Sequence, residues 1–176
     1  MQGQIATGKP WGISVIGENE VIETFFWGDS LDVPSLSGRV FKHGIADCYS
    51  LVRDWYRLLG ITLPVNPRDR DWWDLGQNIV DEGFEEKGFY KLPSPSDLRI
   101  GDVFIGRIGA KVNNHCGVYV GNGCVLHHLP KRLSKAETAH RWVASKVVSY
   151  AVRFKGEDIQ KKAGLIPNAK ETLILR

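Results

Sequence analysis

The chain has 176 residues, 43% hydrophobic and 24% charged, which predicts one compact domain with a real core and excludes wholesale disorder, a fibrous repeat or two full domains. Its formal charge of +3 comes from 23 basic and 20 acidic residues that alternate along the chain, so no phosphate-binding face is expected and nucleic acid is not an expected partner. No stretch approaches the roughly 18 apolar residues of a spanning helix, and residues 1–12 lack the apolar core of a signal peptide, so neither a membrane nor secretion is predicted.

The first segment reads as two short strands, Gly12–Ile16 and Val21–Trp27, joined by a Gly-Glu-Asn-Glu turn and followed by a Pro34–Gly38 linker. Two strands alone cannot sustain themselves, so residues 1–37 are expected to form an arm that packs on the main domain or on a partner. From Asp47 to Gly60, Leu51, Val52, Trp55, Leu58 and Leu59 line one face of a helix, with Asp47 as N-cap and Gly60 just past its end. Asp71–Gly83, carrying Trp72, Trp73, Leu75, Ile79 and Val80, predicts a second helix weakened by Gly76. From Leu98 the apolar period becomes two. Ile100–Gly106, His115–Val120 and Cys124–Leu129 read as a β-meander with a hairpin near Gly121-Asn122-Gly123. A short helix around Lys135–Trp142 and a last strand, Val147–Phe154, complete a domain over 38–155, and 156–176 reads as a C-terminal tail. Helices before an antiparallel sheet predict an α+β fold.

Three cysteines, an odd count, argue against a disulfide framework and leave at least one thiol for chemistry. Cys48 falls at the first helical position, where unpaired N–H groups and the helix dipole favour thiolate and can also stabilise an oxyanion. The competing reading is a small buried apolar residue. His115 opens one strand and the pair His127-His128 closes the next, which suits a base and its orienting partner. A two-residue Asn122-Gly123 loop would pair Gly117 with His128, and a three-residue loop would pair it with His127; pattern alone leaves both open. A zinc site is the rival use of these residues, but His115 and Cys116 point to opposite faces of a strand, as do Cys124 and His127, so no metal is expected.

Gly38-Arg-Val-Phe-Lys-His-Gly-Ile-Ala-Asp-Cys48-Tyr-Ser-Leu-Val resembles the nucleophile motif of NlpC/P60 cysteine peptidases. Leu98-Arg-Ile-Gly-Asp-Val-Phe-Ile, then Asn114-His115-Cys-Gly-Val-Tyr-Val-Gly-Asn-Gly and His127, are similar to that family's Gly-Asp strand, histidine strand and third catalytic position. Asp-Cys-Tyr-Ser-Leu-Val-Arg-Asp, Arg70-Asp-Trp-Trp and Leu126-His-His-Leu with Arg132-Leu-Ser resemble the family's tail assembly protein K branch of long-tailed bacteriophages. The resemblance implies a papain-like fold and a triad in which Cys48 is the nucleophile, His115 the general base and His127 the orienting group, with His128 the fallback. The family's offset between its histidines favours His127 and hence the longer loop.

The same resemblance implies hydrolysis of amide bonds in peptidoglycan stem peptides without a cofactor. Arg39, Trp72, Trp73, His128 and Arg132 are the candidate groove residues. Other tail-tip proteins are the expected partners of the arm and tail, and the expected location is the host cytoplasm during synthesis, then the tail tip of the virion. Two departures stand out: Phe41 occupies a position where many cell-wall members have a Tyr, and there is no His-x-His motif of the zinc-dependent module that often precedes this domain. A structural tail protein with little activity and an acyltransferase using the same triad are the alternatives.

Overall fold

The computed structural model describes residues 6–156 and 158–164. Strands β1 (Trp11–Ile16) and β2 (Val21–Trp27) form a separate antiparallel hairpin. Helix α1 (Cys48–Leu58) precedes a six-stranded sheet of β3 (Phe89–Lys91), β4 (Val103–Gly106), β5 (His115–Gly121), β6 (Cys124–His127), β7 (Lys135–Thr138) and β8 (Val148–Phe154). The spatial order is β3-β8-β4-β5-β6-β7 and every neighbouring pair is antiparallel. Helix α2 (Ala139–Ala144) connects β7 to β8, and α3 (Ile159–Gly164) follows β8. This is an α+β, papain-like arrangement.

The two-residue period of the strands sorts the core into two layers. Val103, Ile105, Cys116, Val118, Leu126 and Val152 join Leu51, Val52, Trp55 and Tyr56 of α1 in one cluster. Phe104 and Val125 pack with Ala139 and Trp142 of α2 in the other. Burial of Leu51, Val52 and Trp55 contributes roughly 2 kcal/mol each, which fixes the azimuth of α1 and so the direction in which its first residue points.

Four elements differ from the sequence expectation. Residues 71–83 form consecutive turns with no helix. Gly76 has φ +73, and bonds from Gln77 N–H to the Trp72 carbonyl and from Gly76 N–H to the Trp73 carbonyl break the helical repeat. Burial of Trp72 dominates here while Leu75 stays exposed. Lys135–Thr138, expected to be helical, is strand β7, because it completes the sheet edge beside β6 and only then does the chain turn into α2. The start of the expected tail is helix α3, with Ile159 and Ala163 one turn apart and both buried against the main core; 165–176 lie outside the described residues. Strand β3 was not expected.

The hairpin between β5 and β6 combines both loop alternatives. Its turn is the two residues Asn122 and Gly123, both with positive φ (51° and 71°), as a type I′ turn requires. A bulge in β5 between Tyr119 and Gly121 absorbs one residue, so the register continues as Tyr119 with Val125, Val118 with Leu126 and Gly117 with His127. The loop is therefore the short one, with the pairing expected from the long one.

Candidate active site

Cys48 is the first residue of α1 because Asp47 stops the chain from being helical any earlier. The Asp47 backbone is extended (φ −122, ψ −168) and its side chain accepts from Ser50 N–H. It also accepts from Gly44 N–H at 2.7 Å and Ser50 Oγ at 2.9 Å, and it is ion-paired with Arg68. Burial alone would raise the Asp47 pKa, but Arg68 and the two backbone donors outweigh it and hold the carboxyl below its usual value of 3.8.

Cys48, His115 and Cys116 line one cavity of about 60 Å³, walled further by Tyr49, Arg68 and Trp72. The Cys48 thiol is pushed well below its ordinary pKa: hydrogen bonding from the Cys116 thiol is the largest cause, burial opposes it, and His115 lowers it further through a hydrogen bond and its charge. Cys116 is pushed the opposite way, by its bond to Cys48 and by burial. The sequence places Cys116 on the strand face opposite His115. That face is the one α1 covers, so Cys116 meets the nucleophile candidate.

His115, 3% exposed, and His127, 1% exposed, share the α2 side of the sheet, with ring centroids 5.5 Å apart and planes at 86°. Trp142 of α2 lies against both, at 4.4 Å from His127 and 5.5 Å from His115, and Phe104 lies 5.6 Å from His115. This aromatic wall excludes water. Burial and then the charge of His115 push the His127 pKa down to about 4, outweighing the Glu137 carboxylate that pulls it up. His127 is thus neutral at ordinary pH. Its Nε2 bonds Glu137 Oε2 at 2.9 Å. Among the described residues, His127 Nδ1 and His115 Nε2 are buried without a partner.

The remaining predicted residues are scattered. His128 is fully buried and meets Phe41 edge-on at 5.2 Å. Burial lowers its pKa, outweighing the backbones of Arg132 and Arg39 that favour its charged form, and among the described residues neither ring nitrogen has a hydrogen-bond partner. Trp72 is buried in the cavity wall and Trp73 packs on it at 5.6 Å, half-buried. Arg132 is exposed. Arg39 is occupied elsewhere: its guanidinium bonds Asp54 at 2.6 Å and the carbonyls of Ser35 and Pro34, clamping the linker to α1. Among the described residues no group of three or more His, Cys, Asp or Glu is placed to hold a metal.

Sequence reasoning missed Glu137 and Trp142 as site residues. The signal for Glu137 was available only through β7: His127 pairs with Lys135, which puts Glu137 two residues along the same strand, whereas a helix over that segment breaks the relation.

The family model described as NlpC/P60 family matches residues 24–152. The chain is similar to the Tail tip assembly protein K of Escherichia phage lambda, 47% identical over 105 residues covering 60% of this chain and 52% of that protein. It is also similar to the protein of the same name from Escherichia phage N15, 32% identical over 100 residues, 55% of this chain and 40% of that protein. The matched segments span about half or less of those relatives' own lengths.

Proposed function

The chain belongs to the NlpC/P60 family, and from that premise we propose that it is a bacteriophage tail protein whose Cys48, His115 and His127 hydrolyse amide bonds in peptidoglycan stem peptides. The observation that carries this reading is the position of Cys48 at the helix start, in one cavity with His115, in surroundings that favour thiolate. The thiolate attacks the scissile carbonyl carbon, and the resulting oxyanion lies by the first-turn N–H groups of α1. The intermediate collapses as His115, carrying the proton from Cys48, gives it to the leaving amine. His115 then takes a proton from water, which attacks the thioester and releases the acid and the thiol. His127 orients the imidazole throughout. Trp72, Trp73 and Arg132 are the residues left to flank the substrate; His128 is fully buried against Phe41 and Arg39 acts through the linker.

Purified peptidoglycan incubated with the protein should release new amino and carboxyl ends, read by mass spectrometry of the soluble peptides, and Cys48→Ala should abolish that release. Equal release by the Cys48→Ala protein would refute the mechanism.

A second reading, a tail assembly protein with little activity, is favoured by the names of the relatives, both tail tip assembly proteins, and by the β1–β2 hairpin, which leaves Ile16, Ile22 and Phe26 between 65% and 71% exposed. Such side chains suit contact with other tail proteins in the virion. An inert Cys48 toward iodoacetamide near pH 7 would support this reading over the peptidase.

A further inference from the structure

We infer that Glu137 is a positioning residue: by accepting a hydrogen bond from His127 Nε2–H, it leaves His127 Nδ1 as the acceptor that orients His115. The inference rests on the catalytic reading above and extends it by one residue, from β7.

A neutral imidazole has one N–H and one lone pair, and the partner of one nitrogen fixes the role of the other. Glu137 Oε2 lies 2.9 Å from His127 Nε2. Its carboxyl is held below the usual range, since the bonds from Lys135 and His127 outweigh the effect of burial. It is therefore a carboxylate, which can only accept, and Nε2 must carry the proton. The lone pair then falls on His127 Nδ1. That atom and His115 Nε2 are buried without partners among the described residues, in rings packed edge to face. Of these two unpartnered atoms in adjacent rings, His127 Nδ1 is the acceptor. Trp142 Nε1–H also donates to Glu137 Oε2, at 3.3 Å, and Lys135 is ion-paired with the other oxygen. Glu137 is therefore held from two sides.

The charged or titratable groups that face this unit are His115 from β5 and Lys135 and Glu137 from β7; those that face Cys48 are Cys116, His115, Asp47 and Arg68. Two readouts separate the proposal from the reading it rests on. The first is the His127 tautomer at pH 7, from long-range proton–nitrogen spectra of the nitrogen-15-histidine-labelled full chain. The second is the pH profile of Cys48 alkylation by iodoacetamide. The wild-type protein should show the Nε2–H form. Glu137→Ala removes the acceptor, and Glu137→Gln can offer an amide donor in its place; both should shift His127 toward Nδ1–H and lower Cys48 alkylation near neutral pH by about tenfold. Glu137→Asp should restore part of both.

An Nε2–H tautomer that persists in both Glu137→Ala and Glu137→Gln, with an unchanged alkylation profile and native tryptophan fluorescence, would overturn the proposal. An ordinary thiol profile for wild-type Cys48 would instead refute the catalytic reading, while the tautomer comparison would still judge Glu137.

Discussion

Replacing Asp47 with Ala should destabilise the fold through a stranded cation more than through a lost cap. The carboxylate is 2% exposed and serves Gly44 N–H, Ser50 N–H, Ser50 Oγ and Arg68 together. Loss of an N-cap costs about 1 kcal/mol. Removal of one member of a buried ion pair costs roughly 3–5 kcal/mol, because the other charge remains without water or partner. The Arg68 side chain, 6% exposed, would lose its carboxylate and keep a hydrogen bond to the neutral Asn66 carbonyl and the face of the Tyr49 ring. The two effects share atoms and do not simply add, so about 4 kcal/mol is expected. With a urea slope of about 2 kcal/mol per molar, the midpoint should fall by about 2 M.

The decisive comparison is the double variant Asp47→Ala with Arg68→Met, measured by urea unfolding followed through tryptophan fluorescence. Removing the orphaned charge should recover most of the loss and leave about 1 kcal/mol for the cap. A double variant as unstable as the sum of the two single variants would refute the reasoning. The pH dependence follows the same pair. The folded-state pKa of Asp47 is depressed, so its stabilisation is fully present above the unfolded value near 3.8 and is lost as pH falls through the lower folded value.

Two further outcomes join those stated for Cys48 and Glu137. His127 has its pKa depressed from 6.5 to about 4, so the unfolded chain binds the proton first, and stability should fall between about pH 6.5 and pH 4 by about 3 kcal/mol. His127→Phe should flatten that part of a denaturation-against-pH curve; an unchanged slope would show that His127 does not titrate as inferred. Gly117→Ala should cost about 1–3 kcal/mol in urea unfolding, because a Cβ there would lie 2.5 Å from the Phe104 ring and 2.9 Å from His127 Cβ. It should also slow Cys48 alkylation by displacing His127, and a protein of wild-type stability and reactivity would contradict the packing.

What the linear sequence determined is what short-range chemistry decides. The α1 boundaries follow from Asp47 as N-cap and Gly60, with φ +76, just past the last turn, and the strands of the meander follow from strict alternation. The positions of the helix-start cysteine and the paired histidines were legible for the same reason, while the roles proposed for them rest on the family resemblance. Where tertiary contacts outweighed local preference, the sequence misled. Trp72 is drawn into the cavity wall and 71–83 cannot stay helical, while Lys135–Thr138 becomes a strand because the edge of β6 offers backbone partners. The bulge that sets Gly117 opposite His127 is likewise a property of two strands together. The contacts of Cys48 with Cys116, of His127 with Glu137 and of both histidines with Trp142 join segments far apart in the chain or across strand pairs. Residue types and spacing carry the identity of the candidate nucleophile and base; only packing of α1, α2 and β7 on the sheet decides which groups tune them.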